Sequence, residues 1–306
     1  MSKEAIVVHI EDGKVDGTTP ATVTRGAIPL TKPPFPAPAR TARDLTAEMP
    51  TLEIDGVTVH LIEAGPAVAT IAEAAARHGA RPLAVASINL DHIHHFGTSQ
   101  GAAVAPAMGA RPAGEGVEWL NLIDGSPIAH QALRATGIAY PKLSGSDLIG
   151  PILDHTAILH QRIGVLGGSA DVSDLVRTRI ASDWPGLRFA GHWTPPRETL
   201  LSPDRSRGLA ERIRRARPDI LLVCLGKPRQ EEWIDLYGDQ TGAGALLAFG
   251  AVVDFLAGRV SRAPAWVSHA GFEWAWRLLR EPRRLSRRYL IEGPPAYLAV
   301  RRRTHV

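Results

Sequence analysis

The stretch DILLVCLGKPRQEEWIDLY, residues 219–237, decides how this chain is read. Its apolar run at 219–225 is the signature of a strand buried on both faces. Gly226 lets the backbone turn at the strand tip, and a helix follows over 229–237. Lys227 and Arg229 supply positive charge, Gln230 an amide, and the helix N-terminus free N–H groups. Together they suit a phosphate or the polar edge of a nucleotide. An ordinary loop with solvated basic residues would look the same.

Working outward, the same unit recurs. Strands are expected at 57–62, after the turn signal Asp55-Gly56, and at 82–88, 118–122, 162–166, 187–190 and 245–249. Helical stretches lie between them at 66–79, 90–96, 128–136, 147–161, 170–184, 205–216 and 251–257. Continuous apolar strands alternating with helices predict an α/β fold, a Rossmann-like, mostly parallel sheet with helices on both faces. Ligands of such sheets bind outside the C-terminal strand ends. The tips to watch are therefore 87–89, 123–126, 166–169, 225–230 and 250–254.

Both flanks differ in character. Residues 1–50 hold seven of the 24 prolines, including KPPFPAPAR at 32–40, and read as an extended arm outside the domain 51–264. Beyond Pro264, residues 265–306 place Trp266, Phe272, Trp276 and Leu279 at helical spacing with arginines on the other faces. This is an amphipathic helical appendage. Between Arg277 and Arg303 nine arginines face only Glu281 and Glu292, so this segment carries about +7 against +4 for the whole chain. Its partner should be anionic: diphosphate, phospholipid headgroups or nucleic acid.

With 44% apolar and 22% charged residues the chain has the composition of a folded protein, not a disordered one. The single cysteine, Cys224, excludes an intramolecular disulfide and a cysteine zinc cluster, and suits a reducing compartment. Charges through MSKEAIVVHIEDGKVDG argue against a signal peptide. The apolar stretch 242–258 carries Asp254 and reads as a strand and helix, not a membrane span.

Several constellations could carry chemistry. In LIDGSP, 122–127, a carboxylate followed by glycine ends a buried strand. Asp124 could act as general base on a sugar hydroxyl, or form an Asx-turn that starts the next helix. GVLGGS, 164–169, allows close backbone approach at Gly167 but is not a dinucleotide fingerprint. Asp254, within AFGAVVDFLAGRVSRAP at 248–264, needs a partner if buried, for which Arg259 and Arg262 are candidates. In DHIHH, 91–95, His92 and His95 share a helix face but lack further ligands at metal spacing, so a structural or solvated role is expected. No nucleophile motif and no D-x-D sequence is present.

Taken in order, NLIDGSP at 121–127, KLSGSDLI at 142–149, VCLGKPRQEEWI at 223–234, VVDFLAG with RAP at 252–264, and GFEWAWRLLREPRRLSRRY at 271–289 resemble one family. It is that of the bacterial glycosyltransferases known for N-acetylmannosaminyl transfer to undecaprenyl-diphosphate-linked sugars, in enterobacterial common antigen, teichoic acid linkage and capsule or exopolysaccharide synthesis. The resemblance covers about residues 54–289. It implies an inverting, metal-independent transfer from a UDP-sugar, with no cofactor, to a polyprenyl-diphosphate-linked acceptor. Asp124 matches the family's base. Ser87, in Ser87-Ile88-Asn89, stands where a T-P-N threonine assists. Pro228-Arg229-Gln230-Glu231 matches P-K-Q-E, and Arg277, Arg284 and Arg287 match diphosphate-binding arginines. Asn89, Gly145, Asp147, Gly167, Gly226, Pro228, Gln230 and Asp254 complete the expected substrate-binding set.

The appendage is then expected to close over the nucleotide and to lie on an anionic bilayer, making the protein a cytoplasmic, peripheral enzyme at the inner face of the cell membrane. Nucleic acid is not an expected partner, because the tail's aromatics sit at helical spacing, not on an open stacking face. A homo-oligomer is left open. The alternative reading is a nucleotide- or lipid-binding protein of the same fold without activity.

Overall fold

A computed structural model of the chain describes residues 44–77, 79–100, 108, 116–259, 278 and 286–305. The described chain opens with an antiparallel hairpin of β1 (Thr51–Ile54) and β2 (Val57–His60). Asp55 and Gly56 form its turn with φ of 51° and 83°, the left-handed pair that a two-residue hairpin requires. Alternating strands and helices follow: α1 (Ala64–Ala76), β3 (Leu83–Ile88), α2 (Leu90–Phe96), β4 (Glu118–Ile123), α3 (Ser126–Thr136) and α4 (Gly145–Ile158). Then come β5 (Arg162–Gly167), α5 (Ser173–Asp183), β6 (Arg188–Trp193), α6 (Arg197–Leu201) and α7 (Pro203–Ala216). The series continues with β7 (Ile220–Cys224), α8 (Arg229–Tyr237), β8 (Ala245–Ala248) and α9 (Val252–Leu256). Among the described residues it ends in a π-helical turn (Arg288–Glu292), α10 (Gly293–Arg302) and β9 (Thr304–His305).

The main sheet has the order β4-β3-β8-β7-β5-β6, and every neighbouring pair is parallel. The α/β, Rossmann-like expectation therefore holds. Side chains alternate between two cores. Ala84, Ala86, Ile88, Leu221, Val223 and Leu246 meet α2, α3, α7, α8 and α10 on one face. Leu83, Val85, Ile220, Leu222 and Leu247 meet α1, α4, α5 and α9 on the other. Burial on both faces is why β3, β7 and β8 are continuous apolar runs. β6 lies at the sheet's edge and is only partly covered, so its sequence, RFAGHW, is mixed.

Two short strands were not expected. β1 pairs with β2 on one side and with β9 on the other, giving a second, three-stranded sheet. α10 buries Ala296, Ala299 and Val300 in the same core as α2 and α3. Asp55 ties this region together: its carboxylate accepts from Ser99 N at 3.1 Å and Thr98 Oγ1 at 3.1 Å, and Arg303 approaches at 3.5 Å.

Candidate active site at the strand tips

The C-terminal ends of β4, β3, β8 and β7 lie side by side, so their loops converge on one edge of the sheet. Asp124 follows β4 and is half-buried; its backbone N–H donates to Ile88 O at 2.9 Å, which fixes it beside the tip of β3. Gly125, at φ 83°, makes the turn into α3, whose first turn contains Pro127.

Asn89 follows β3 and caps α2, its Oδ1 accepting from Asp91 N at 3.2 Å. The same amide reaches across the tips. Its Nδ2 donates to Asp124 Oδ2 at 3.0 Å, while Oδ1 also accepts from Lys227 Nζ at 3.0 Å. Lys227 stands in the turn after β7, where Gly226 takes φ 75° and the Lys227-Pro228 bond is cis. Its side chain is only 17% exposed and also approaches Asp91 Oδ2, at 3.9 Å, and His92 Nδ1, at 3.1 Å.

Below this surface lies a wholly buried pair, His92 on α2 and Glu231 on α8. The backbone N–H of Asn89 donates to His92 Nδ1 at 3.2 Å, completing the helix cap. An amide N–H can only donate, so Nδ1 is the acceptor and the ring proton sits on Nε2, 3.2 Å from Glu231 Oε1. Glu231 Oε1 also accepts from Gln230 Nε2 at 2.8 Å. Burial pushes the Glu231 carboxyl up to about 7, against the pull of the Lys227 ammonium.

Ser87 is buried beneath the tip, and its Oγ donates to Leu143 O at 2.9 Å, tying the segment before α4 to β3. Gln230 is buried, and its Nε2 also donates to Ala248 O at 2.9 Å; its amide thus braces the tip of β8. Asp147 sits in the first turn of α4, where its N–H donates to the Ser144 cap at 3.3 Å and its carboxylate accepts from Ser144 Oγ at 2.6 Å. Gly145 presses on Phe249, where a Cβ would come within 2.6 Å of the ring. Gly167, at φ 97°, leaves no room for a Cβ against the Cys224 carbonyl.

One electrostatic expectation is corrected. Asp254 is half-buried in the first turn of α9, and the Arg259 guanidinium pairs instead with Asp171, at 2.6 Å. Of the two candidate partners for Asp254, Arg259 is thus committed to Asp171. Arg262, Arg277 and Arg284 lie outside the described residues. Arg287 is exposed and pairs with Glu292 at 2.9 Å.

The His92–Glu231–Lys227 set was not assigned from sequence. A signal was available: Glu231 falls on the buried side of α8 with Trp233 and Ile234, where an acid needs a specific partner. His95, by contrast, pairs with Asp91 at 3.7 Å, and burial lowers its imidazole below the ordinary range. Among the described residues no cluster of three or more histidine, cysteine or acidic side chains is arranged to hold a metal ion.

A family model described as "Glycosyl transferase WecG/TagA/CpsF family" matches residues 52–305, most of the chain and all of this site. The chain belongs to the WecG/TagA/CpsF family. Similar to it is the N-acetylglucosaminyldiphosphoundecaprenol N-acetyl-beta-D-mannosaminyltransferase of Bacillus subtilis (strain 168), 29% identical over 166 residues, covering 54% of this chain and 62% of the relative. A protein of the same name from Bacillus spizizenii is 27% identical over 189 residues, covering 62% and 66%. Another, from Staphylococcus aureus (strain MW2), is 25% identical over 164 residues, covering 54% and 62%. The matched stretches thus span a little under two thirds of these family members. They resemble one part of each relative.

Proposed function

We propose that this protein is an inverting glycosyltransferase that moves a hexose, N-acetylmannosamine or a close relative, from a UDP-sugar to a polyprenyl-diphosphate-linked sugar. The observation that carries this reading is Asp124, a half-exposed carboxylate at a strand tip with one oxygen held by Asn89 Nδ2. In this reading its other oxygen takes the acceptor hydroxyl proton as the acceptor oxygen attacks the anomeric carbon. The attack displaces UDP from the opposite side and inverts the centre. Charge developing on the diphosphate needs fixed cations, for which Arg277, Arg284 and Arg287 are the candidates, so that no metal is required. The names of the relatives support the donor sugar and acceptor class.

The test is UDP release from candidate UDP-sugars with a lipid-diphosphate acceptor. Asp124→Asn keeps the shape and removes the base, so turnover should fall by about two to four orders of magnitude. Turnover retained in that variant sinks the assignment. One observation favours the inactive-binder reading: the Ser87 hydroxyl is spent on Leu143 O. Donor binding without UDP release from any donor would establish that reading.

We also propose that the C-terminal face meets an anionic membrane. Support comes from Leu290, Ile291, Tyr297 and Leu298, all exposed, beside Arg301 and Arg302. No helix among the described residues is long and apolar enough to cross a bilayer. Because α10 and β9 are part of the folded core, deleting the tail would remove structure as well as charge. The double substitution Arg301→Glu, Arg302→Glu leaves the buried side intact. It should reduce co-flotation with anionic vesicles while preserving the melting temperature; unchanged flotation refutes the contact.

A further inference from the structure

We propose that Lys227, His92 and Glu231 are positioning residues for Asp124, acting through Asn89, and that the charge on Glu231 sets how firmly the arrangement is held. This rests on the reading of Asp124 as the base.

The argument starts at the Asn89 amide. Its Oδ1 receives two donors, Lys227 Nζ at 3.0 Å and Asp91 N at 3.2 Å. An amide rotated by half a turn would point its NH2 at an ammonium and an N–H, donor against donor. The NH2 must therefore face Asp124, and Asp124 Oδ2 must accept. Lys227 thereby holds an orientation that the cap alone would enforce less strongly. The ammonium is in turn held from beneath by His92 Nδ1 at 3.1 Å, which can accept only while the ring proton stays on Nε2. Glu231 Oε1 at 3.2 Å keeps it there. One chain of contacts thus runs from α8 through α2 to the tip of β4.

Charges around Glu231 come from several elements. α2 brings Asp91, His92 and His95; the turn after β7 brings Lys227; α8 brings Glu232. Glu292 faces His94 and His95 from the C-terminal turn. Of these, Glu231 is the acid whose titration burial places near neutrality, at about 7. Ionised, it is the stronger acceptor for His92 Nε2–H and balances Lys227. Protonated, it removes one of the two carboxylates near the ammonium, leaving Asp91 at 3.9 Å, and holds the ring less firmly. Turnover should therefore gain a rising limb through about pH 7.

Two measurements test this, one of which needs no turnover. In the ligand-free protein, ring ¹⁵N NMR of His92 should show the Nε2–H form on both sides of neutrality. Its shifts should follow one step near pH 7 that disappears in Glu231→Gln. An Nδ1–H ring, or a step that persists in the variant, overturns the proposal whatever the activity. In the UDP-release assay, Glu231→Gln should flatten the limb near pH 7 and hold kcat at the wild-type low-pH level. Lys227→Met should lower kcat by about ten-fold or more, leaving the donor KM within about two-fold. A limb surviving in Glu231→Gln, or an unchanged kcat in Lys227→Met, also overturns it. Activity surviving in Asp124→Asn would instead refute the parent reading, and the NMR outcome would still stand.

Discussion

Asn89 caps α2 with its Oδ1 and holds Asp124 with its Nδ2, so substitutions can separate the two tasks. Asn89→Asp preserves the cap, since aspartate is as good an N-cap as asparagine. It also places an oxygen where the NH2 stood, 3.0 Å from Asp124 Oδ2. Two carboxylates that close repel, so the base loses the donor that holds it and is pushed out of place. The expected outcome is a loss of kcat of about two orders of magnitude, with a change in unfolding free energy below about 1 kcal/mol. UDP release and urea unfolding on the same preparation measure both. Full turnover in this variant would mean that Asn89 does not hold the base.

At the scale of elements, Gly167 and Gly137 offer a controlled comparison. Both have left-handed φ, 97° and 73°, but a Cβ on Gly137 meets open space whereas one on Gly167 runs into the Cys224 carbonyl. Gly137→Ala should cost about 1 kcal/mol, the ordinary penalty of that conformation. Gly167→Ala should cost about 3 kcal/mol or more, because β5 must also move away from β7. Equal urea midpoints would show that β5 and β7 are less closely packed than this. The same packing explains what could be read from sequence. β3, β7 and β8 are covered on both faces, so their runs are apolar and legible, and the tip rule then placed Asp124 and Asn89 at the site. β1 and β9, four and two residues long, are too short for periodicity to register. The His92–Glu231 contact joins residues 139 apart on α2 and α8, and only the folded arrangement brings them together.

For the whole molecule, two buried groups bind protons in opposite ways, one in the site and one where the two sheets meet. His60, on β2, accepts from Asn121 N on β4 at 3.0 Å, and burial lowers its imidazole to about 4. Between pH 4 and 6.5 the unfolded chain binds the proton that the fold refuses, so this group makes stability rise with pH and is lost as pH falls through about 4. Glu231 is raised from 4.5 to about 7, so in that window the fold keeps a proton that the unfolded chain releases. Its contribution is full below 4.5 and is lost as pH rises through about 7. The windows overlap from 4.5 to 6.5, where the slopes, each at most about 1.4 kcal/mol per pH unit, oppose one another. Removing either group should unmask the other. Glu231→Gln keeps the acceptor for His92 without titrating, and its stability relative to wild type should rise with pH across this window. His60→Asn offers Oδ1 to Asn121 N, and its relative stability should fall. Urea midpoints measured from pH 4.5 to 7 decide the matter: curves parallel to wild type in both variants would show that neither group is held in the protonation state its burial implies.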